Sequence, residues 1–433
     1  MLIIYNLLLT AFFILTLPYY AVQVARHEKY RAGLKQRLGF YPPSVRRGLK
    51  VGRRIWFHAV SVGEVLAVMP LVKRVHAELP EVQIVLSTVT LTGQRVAGEK
   101  IGDAGVVLYF PLDMSFAVRR ALRIISPALI VLVETEIWPN FICAAAERRI
   151  PIAIINGRIS DRSFPGYRCA RFFLRRFLNK VAAFSMQTDL DARRIQAIGA
   201  PPEKIKVTGN MKFDCGAVPG DEEARHTIIS SLGLNPRHDV IVAGSTHRGE
   251  EEIVLDACRA VRGGGLEPAL VIVPRHPERA AEVKALAEAR GEHCVLRSRM
   301  ARGEALPHRT VLIVDTIGEL VDIYRAATVV FVGKSLVGSG GQNIIEPASV
   351  GKPVLFGPSM HNFREAAELL LKNKGALQVS NARELREALT FLLRDRDARE
   401  RMGRRAAEAM ALSRGATRRN LEIIKKLLME SAD

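Results

Sequence analysis

The stretch FVGKSLVGSGGQNIIEPASVGKPVLFG, residues 331–357, decides the fold class. Its pattern predicts a buried strand over Thr328–Val332, a glycine-rich loop with a short helix, and a second strand over Pro353–Phe356. Glycines let a backbone approach a ligand closely, and a helix N-terminus offers free N–H groups to an anion. Asn343 and Glu346 lie one helical turn apart, and a carboxylate placed there suits the two hydroxyls of a ribose. The stretch therefore favours a nucleotide site over the alternative of a tight loop before a capped helix.

Ten short apolar runs, rich in valine and isoleucine, alternate with helical patterns through most of the chain. Such runs are typical of parallel strands whose two faces are covered by helices, so they predict a doubly wound α/β architecture. The alternation pauses over 213–239, which indicates two similar-sized α/β domains around a cleft, with a boundary near Val218. The predicted strands are Ile55–Val60, Gln83–Thr88, Ala128–Glu134, Ile152–Asn156, Ala182–Gln187, Val240–Ala243, Ala269–Val273, Val311–Val314, Val329–Val332 and Pro353–Phe356.

The composition is that of an ordinary folded protein with one unusual property, its charge. Of 433 residues, 48% are hydrophobic and 25% are charged, which excludes wholesale disorder. The formal net charge of +19 indicates an anionic partner: nucleic acid, an acidic membrane surface or a phosphorylated substrate. The five cysteines lie far apart, so they predict neither a zinc site nor a disulfide framework, and reduced thiols in a cytosolic compartment fit best.

The N-terminal stretch Leu2–Val24 carries no charge and is just long enough to cross a bilayer. The basic residues follow it, beginning at Arg26, so the positive-inside rule places the body of the protein in the cytoplasm. A cleaved signal would carry its positive charges before the apolar run. The marginal length and Pro18 keep a monotopic anchor open as an alternative. We therefore expect an anchor over 1–25 and domains over 26–218 and 219–433.

Several acidic and basic side chains follow predicted strands, where α/β proteins keep reactive groups. Glu64 lies in the motif HAVSVGE, and it either serves as a general base or merely complements a helix dipole. Glu134 and Glu136, in ETEIWPN, share a face if the chain is extended there, and Trp138 adds an apolar wall. Lys212, in TGNMKFD near the domain boundary, follows a further strand-like run at 206–208 and is placed to reach a phosphate.

Basic groups mark two further places. The segment 168–180 combines four arginines and a lysine with three phenylalanines at helical spacing, which fits either a solvated basic face or a membrane surface. RNA binding by this segment is an alternative that no recognition motif accompanies. In VIVPRHPER, prolines fix the direction of Arg275, which suits a phosphate ligand. The turn Ile317-Gly318-Glu319 follows a strand at the same predicted edge.

Taken together, these motifs resemble the 3-deoxy-D-manno-octulosonic acid (Kdo) transferases of lipopolysaccharide biosynthesis. The resemblance rests on HAVSVGE, ETEIWPN, NGRISDRS, TGNMKFD, AGSTHRGEE, PRHPER, DTIGELVDIYRAA and GGQNIIEPASVGKPVLFGP, in that order along the chain. It implies a GT-B fold, in which two Rossmann-like domains flank a cleft and the C-terminal one binds the nucleotide. It also implies transfer of Kdo from CMP-Kdo to the phosphorylated disaccharide lipid A precursor (lipid IVA), at the cytoplasmic face of the inner membrane.

The resemblance also assigns roles to residues. Glu64 would be the general base of an inverting reaction, and Glu134 would stabilise the transition state, with Glu136 as the substitute. Lys212 would balance charge on the departing CMP phosphate. At the last motif the family usually has N-P-L-E or similar, so only the inner pair differs here. The residues that would hold CMP are Pro274, Arg275, Ile317, Gly318, Glu319, Asn343, Ile344, Ile345 and Glu346.

No cofactor beyond the donor substrate and no metal are expected. Asp189 and Asp191 have a D-x-D spacing, but they are better explained as acids that complement a helix N-terminus, in agreement with the family's metal-independent chemistry. Two alternatives remain. One is a GT-B transferase that uses a UDP-sugar on another lipid, and the other is a non-enzymatic, membrane-anchored nucleotide- or RNA-binding protein. We expect an anionic membrane surface, and not nucleic acid, as the partner of the basic surface.

Overall fold

The computed structural model describes residues 2–26, 31–215, 222–301, 303–338 and 340–430. They form two units, Met1–Asp214 with Arg414–Asp433, and Cys215–Ser413. The boundary that we predicted near Val218 lies outside the described residues. The chain beyond Arg414 belongs with the first unit, which differs from the predicted second domain of 219–433.

The first unit contains a parallel sheet of seven strands. The strands are β1 Arg54–His58, β2 Gln83–Thr88, β3 Gly105–Tyr109, β4 Leu129–Val133, β5 Ile152–Gly157, β6 Ala183–Met186 and β7 Ile205–Val207. Their order is β3-β2-β1-β4-β5-β6-β7, with every pair parallel. This is the doubly wound order 3-2-1-4-5-6 with one strand added at an edge. Successive strands are added toward one edge as far as β3 and toward the other edge from β4, so the strand order reverses between β1 and β4.

The second unit also contains a doubly wound parallel sheet of seven strands, in a different strand order. Its strands are β8 Val240–Thr246, β9 Ala269–Pro274, β10 Cys294–Leu296, β11 Val311–Ile313, β12 Val329–Val332, β13 Val354–Phe356 and β14 Ala376–Gln378. The order is β10-β11-β9-β8-β12-β13-β14, again all parallel, and the reversal falls between β8 and β12. Both units are therefore Rossmann-like, as the alternation of strand and helix patterns predicted. The sequence missed β3, β10 and β14.

Helices cover both faces of each sheet. In chain order they are α1 Leu2–Arg26, α2 Leu34–Arg37, α3 Pro43–Gly48, α4 Val62–Glu78, α5 Leu91–Ile101, α6 Ser115–Ile125, α7 Pro139–Glu147, α8 Phe164–Cys169, α9 Arg171–Leu178, α10 Asp189–Ala197, α11 Glu222–Ser231, α12 Glu250–Gly263, α13 Ala280–Glu288, α14 Leu320–Ala326, α15 Ile345–Ser349, α16 Arg364–Lys372, α17 Ala382–Arg394, α18 Arg396–Leu412 and α19 Ala416–Glu430.

Alternation along β1 shows how the first unit uses both faces of its sheet. Trp56 packs with Phe110 and Phe141 on one face, whereas its neighbours Ile55 and Phe57 join a second core on the other. The apolar side of α19, including Leu421 and Ile424, completes that second core. This packing explains why α19 belongs to the first unit.

The N-terminal helix α1 contains a stretch, Leu2–Tyr20, that is long and apolar enough to cross a membrane by length and composition. None of that stretch is buried inside the protein. Such a helix is weak evidence for a membrane anchor, and it agrees with the predicted anchor over 1–25.

Candidate active site and nucleotide site

Non-glycine residues with positive φ stand at the carboxyl ends of the strands where each sheet reverses. Glu134 follows β4 with φ 61°, Ser245 lies at the end of β8 with φ 55°, and Lys334 follows β12 with φ 59°. A residue with a Cβ atom in this region costs on the order of 1 to 3 kcal/mol, and such residues collect at functional sites. Ligands of doubly wound sheets bind at this same crevice. Both units therefore have a candidate site at their carboxyl edge.

Glu64 is held at the start of α4 by the turn that precedes it. One carboxylate oxygen accepts the N–H of Val60 at 2.7 Å, and the other accepts the hydroxyl of Ser61 at 2.8 Å. The residue is 9% exposed. Burial raises the pKa of Glu64 and the charge of Glu134 raises it further, while these hydrogen bonds act in the opposite direction. A fixed, buried carboxylate with a raised pKa is suited to accept a proton near neutral pH.

Two more carboxylates converge on Glu64 from the end of β4. The backbone N–H of Glu134 donates to Ile155 at 2.9 Å, which fixes this turn against the neighbouring strand. The pKa of Glu136 is raised to about 7, mainly by burial and to a smaller extent by the charges of Glu64 and Glu134. The structure thus brings Glu64, Glu134 and Glu136 together, and mutual repulsion disfavours ionisation of all three at once.

Lys212 lies in a 3₁₀ turn, Met211–Cys215, after β7. Its backbone N–H donates to Asn210 at 3.0 Å, and the N–H of Met211 donates to Asn156 at 3.0 Å. Asn210 in turn donates to Gln187 at 3.1 Å, so side chains that end β5 and β6 hold the turn at the carboxyl edge. The Lys212 ammonium forms no ion pair within the described part of the chain. Sequence reasoning missed Asn156 and Gln187, whose only signal is a polar residue ending an apolar strand.

In the second unit, one buried carboxylate organises the loop between β12 and the glycines. Glu250, at the start of α12, is fully buried. It accepts four backbone N–H groups: those of His247 at 3.0 Å, Lys334 at 2.6 Å, Ser335 at 2.9 Å and Leu336 at 3.0 Å. The loops that follow β8 and β12 are therefore tied to each other at the reversal point. From the sequence, VAGSTHRGEE was a strand, a small-residue turn and an acidic helix start, which could hold an anion or be a simple capped helix.

The glycine-rich loop requires its glycines for both conformation and space. Gly340 and Gly341 have φ of 105° and 69°. A Cβ atom at Gly340 would lie 2.5 Å from the Asn362 amide nitrogen, and one at Gly341 would lie 2.4 Å from the Met360 sulfur. Both contacts are too short for any other residue type without movement of the loop. The predicted close-approach loop is thus present, although Ser339 lies outside the described residues.

Glu346 lies beside two groups, Asn343 and Arg275, that interact with its carboxylate. Burial raises the pKa of Glu346, while a hydrogen bond from Asn343 and the charge of Arg275 lower it. Tyr324 is buried near the same carboxylate. Burial raises the pKa of Tyr324, and the charge of Glu346 raises it further. A Cβ atom on Gly244 would lie 2.1 Å from the hydroxyl of Tyr324, so a glycine is needed at the end of β8.

The other residues predicted to bind CMP differ in which of their groups are available to a ligand. The side chains of Ile344 and Ile345 are buried in the unit, so they offer only backbone groups to a ligand. Glu319 pairs with Arg297 at 3.1 Å, so its carboxylate is already engaged. Gly318, with φ 100°, forms an open turn before α14. Pro274 ends β9 and is buried.

Arg275 belongs to a group of basic side chains near the loop. It is exposed, and its backbone N–H donates to Thr246 at 3.0 Å. The rings of His247 and His276 lie 5.9 Å apart. Burial lowers the pKa of His247, and the charge of Lys334 lowers it further, while Glu250 acts in the opposite direction. The charges of Arg275 and Lys334 suit a phosphate, whereas the lowered pKa favours the neutral form of His247. The other arginine of this motif, Arg279, instead pairs with Glu251 at 2.8 Å and holds the turn together.

Asp191 has a structural role. Its carboxylate accepts the N–H of Ile159 at 2.8 Å and the hydroxyl of Thr188 at 2.6 Å, at the start of α10. This agrees with the prediction that the D-x-D spacing complements a helix N-terminus. Within the described ranges, no three histidine, cysteine, aspartate or glutamate side chains lie together as metal ligands would.

The burial of Glu136, together with repulsion from Glu64 and Glu134, predicts a pH-dependent cost to stability. The pKa of Glu136 is raised from its ordinary 4.5 to about 7, so the folded state retains a proton that the unfolded chain loses. The contribution of Glu136 to stability is therefore full below pH 4.5, falls as the pH rises to 7, and is constant above. Glu136→Gln should raise the free energy of unfolding at pH 8 by on the order of 2 kcal/mol and change it little at pH 4.5. Chemical unfolding at both pH values measures this, with the exposed Glu81→Gln as the control. An equal effect of Glu136→Gln at both pH values would contradict the raised pKa of Glu136.

Comparisons with known proteins agree with this architecture. A family model described as 3-Deoxy-D-manno-octulosonic-acid transferase (kdotransferase) matches residues 32–215. The chain is 35% identical over 410 residues to a 3-deoxy-D-manno-octulosonic acid transferase of Haemophilus influenzae, with 92% of each chain covered. It is 34% identical over 384 residues to one of Bordetella pertussis, covering 86% of this chain and 87% of the relative. Among solved structures, a glycosyltransferase of Rickettsia africae matches with a TM-score of 0.57 and 12% identity, over 88% of this chain and 99% of that one. That last likeness shows the fold alone.

Proposed function

The chain belongs to the 3-deoxy-D-manno-octulosonic acid transferase family and has the GT-B fold, and from this premise we propose the reaction in detail. Kdo is transferred from CMP-Kdo to a hydroxyl of the phosphorylated disaccharide lipid A precursor, with inversion at the anomeric carbon. The observation that carries the proposal is the fixed, buried carboxylate of Glu64 at the point where the first sheet reverses.

Glu64 is the general base of this reaction. It takes the proton from the acceptor hydroxyl as that oxygen attacks the anomeric carbon, and the bond to the CMP phosphate breaks on the opposite face. The raised pKa and the two hydrogen bonds that hold the carboxylate support this role. The alternative of a simple helix cap accounts for the hydrogen bonds but not for the neighbouring carboxylates.

Glu134 and Glu136 divide the other acidic roles. Positive charge develops at the anomeric carbon as the donor bond breaks, and the Glu134 carboxylate stabilises it. Its backbone conformation, with φ 61°, fixes where that carboxylate is presented. Glu136 remains the substitute for this role, although a pKa of about 7 leaves it partly protonated at neutral pH. Lys212 balances the negative charge of the departing phosphate.

The second unit holds CMP through complementary groups. Glu346 accepts the two ribose hydroxyls, while Arg275 binds the phosphate and the open turn at Gly318 supplies backbone N–H groups. The hydrogen bond of Asn343 to Glu346 and the nearby charge of Arg275 support this assignment. In this scheme protein cations carry the phosphate charge, so transfer proceeds without a metal ion or other cofactor.

The acceptor is a lipid with two phosphates, and the first unit has a surface suited to it. Helix α9 carries Arg171, Arg175 and Arg176, and beside them Phe172 is 78% exposed. Basic side chains with an exposed aromatic ring are typical of an anionic membrane interface. With the apolar α1, this surface supports an inner-membrane location with the catalytic body on the cytoplasmic side.

A direct assay tests the reaction. Purified protein is given a CMP-Kdo supply and tetraacylated lipid A precursor, and the products are weighed by mass spectrometry. We expect acceptor masses increased by whole Kdo units. Product from a UDP-sugar and none from CMP-Kdo would favour the other transferase class. A protein without transfer activity that binds RNA with a steep salt dependence would favour the non-enzymatic alternative.

If Glu346 binds the ribose, its substitution should remove the preference for CMP over a nucleotide without ribose hydroxyls. Wild type should bind CMP about tenfold more tightly than 2′,3′-dideoxy-CMP, because the Glu346 carboxylate loses its hydrogen bonds to the missing hydroxyls. Glu346→Gln should bind both nucleotides with similar, weak affinity. Calorimetric titration measures this, with Arg383→Gln, an exposed change in the same unit, as the control. If Glu346→Gln keeps the preference for the ribonucleotide, the carboxylate does not hold the ribose.

A further inference from the structure

The first turn of the apolar helix α1 is bound to the folded body of the first unit. The hydroxyl of Tyr5 donates to Asp113 at 2.9 Å. Asn6 and Asn140 exchange two amide hydrogen bonds, of 3.0 and 2.7 Å. The Tyr5 ring also lies 6.1 Å from that of Phe173 on α9. These contacts form what we call the Tyr5–Asn6 tether.

The partners of the tether are buried parts of the catalytic unit. Asp113 and Asn140 are 5% and 3% exposed. Asp113 follows β3 and accepts the backbone N–H groups of Asn140 at 3.0 Å and Phe141 at 2.8 Å, so it caps α7. Helix α7 begins three residues after Glu136. The tether therefore ends at the carboxyl edge of the sheet, on the same segment that carries the candidate acidic site.

A membrane-spanning arrangement of α1 is incompatible with this tether. Residues Leu2–Tyr20 cover about 28 Å as a helix, which is the thickness of the hydrocarbon core. If Tyr20 were at the near surface, Asn6 would lie about 21 Å deeper, near the far surface. Asp113 and Asn140 cannot follow it there, because they are buried within the folded α/β unit. Both ends of α1 must then lie on the side of the bilayer that holds the catalytic body.

The apolar composition of the exposed face of α1 indicates which environment surrounds it. Side chains at positions 2, 5, 6, 9, 13 and 16 are partly shielded and form one helical stripe, which includes the polar Tyr5 and Asn6. The opposite side is almost wholly apolar, with Ile3 75% and Leu15 80% exposed. An apolar face of this length needs lipid, and the protein body takes the place of the polar face of an ordinary interfacial helix. Arg26 and the basic face of α9 supply charges for anionic headgroups.

We propose that α1 lies in the plane of one leaflet, with its exposed face among acyl chains and its first turn tethered to the active-site edge through Asp113 and Asn140. The tether holds the carboxyl edge of the first unit at the membrane surface, where a lipid acceptor presents its sugar. This deepens the proposed function, on which the identity of the acceptor rests, but the geometry of α1 is tested without any activity.

The first experiment compares the two ends of the protein. One form carries an epitope before Met1 and another carries it at the C-terminus, and each is exposed to protease in spheroplasts and in inverted inner-membrane vesicles. We expect both epitopes to be digested in the same preparation, since both ends lie on one side. Digestion of the two epitopes in opposite preparations would show a spanning helix and overturn the proposal. The comparison holds whichever side the body occupies.

The second experiment tests the tether itself. Asn6→Cys with Asn140→Cys should be joined by a short bismaleimide in membranes, with peptide mass spectrometry to separate the product from links to Cys143. Leu15→Cys with Asn140→Cys is the matched pair, and it should not be joined because Leu15 lies about 13 Å further along the helix on its exposed face. If both thiols of the first pair react with a monofunctional maleimide but no link forms, the tether is absent. This result does not depend on Kdo transfer, so its failure is separate from failure of the proposed function.

Discussion

Glu64→Gln should reduce the rate of Kdo transfer by about 10³-fold, since general-base catalysis contributes on the order of 10² to 10⁴. Glutamine has nearly the same shape and keeps an oxygen for one of the two hydrogen bonds, from Val60 or Ser61, but it cannot take a proton. The change should act on the turnover rate, because proton removal occurs in the transition state rather than in substrate binding. Initial rates with saturating donor and acceptor measure it.

The pH profile separates a base from a structural cap. A base works only when it is ionised, so the wild-type rate should rise with pH through the raised pKa of Glu64, and this rise should be absent from the residual activity of Glu64→Gln. Glu99→Gln, an exposed change in the same unit, is the matched control. A helix cap predicts the opposite pattern: a loss of about 1 kcal/mol in stability with the rate nearly unchanged. That outcome would show that Glu64 is not the general base.

The positions of Glu64 and Glu134 were predictable because strand order and strand direction constrain them. In a parallel sheet every carboxyl end faces one edge, so acids that follow two apolar strands meet if those strands are neighbours. The sequence identified both strands, and the reversal between β1 and β4 brings their ends together. The pKa of Glu136 was not predictable, because it depends first on burial and then on the charge of Glu64, which lies far from Glu136 in sequence.

The sequence failed where a feature is short or where its meaning depends on packing. The missed strands β10 and β14 have three residues each and are partly exposed, whereas the equally short β11 and β13 are wholly buried and were recognised as apolar runs. Helix α19 follows the second unit in sequence, and only its apolar contacts assign it to the first. Tyr5 was one of many side chains in an apolar run, and nothing in that run indicates that its hydroxyl reaches Asp113. Glu250 was equally hidden, because an acid in the first turn of a helix is common.

Glu250→Gln should destabilise the second unit by about 3 to 5 kcal/mol and abolish its binding of CMP. The carboxylate accepts four backbone N–H groups, from His247 and from Lys334 to Leu336. A glutamine has one oxygen for these four donors, and its own NH₂ group would point at the others. Buried donors without acceptors each cost on the order of 1 to 3 kcal/mol, so partial relaxation still leaves a large loss. Unfolding monitored by circular dichroism, with CMP titration at low temperature, measures both effects.

Glu252→Gln is the matched control, because it removes the same charge two residues away on the exposed side of the same helix turn. The helix dipole affects both glutamates similarly, so a dipole effect alone predicts equal, small losses of less than about 1 kcal/mol. Only the loop-tying role predicts that Glu250→Gln loses CMP binding while Glu252→Gln keeps it. The two loops joined by Glu250 carry the strained residues Ser245 and Lys334, so without it they have no reason to keep those conformations. If Glu250→Gln folds and binds CMP like wild type, the glycine loop is held by its own contacts and the carboxylate is not its organiser.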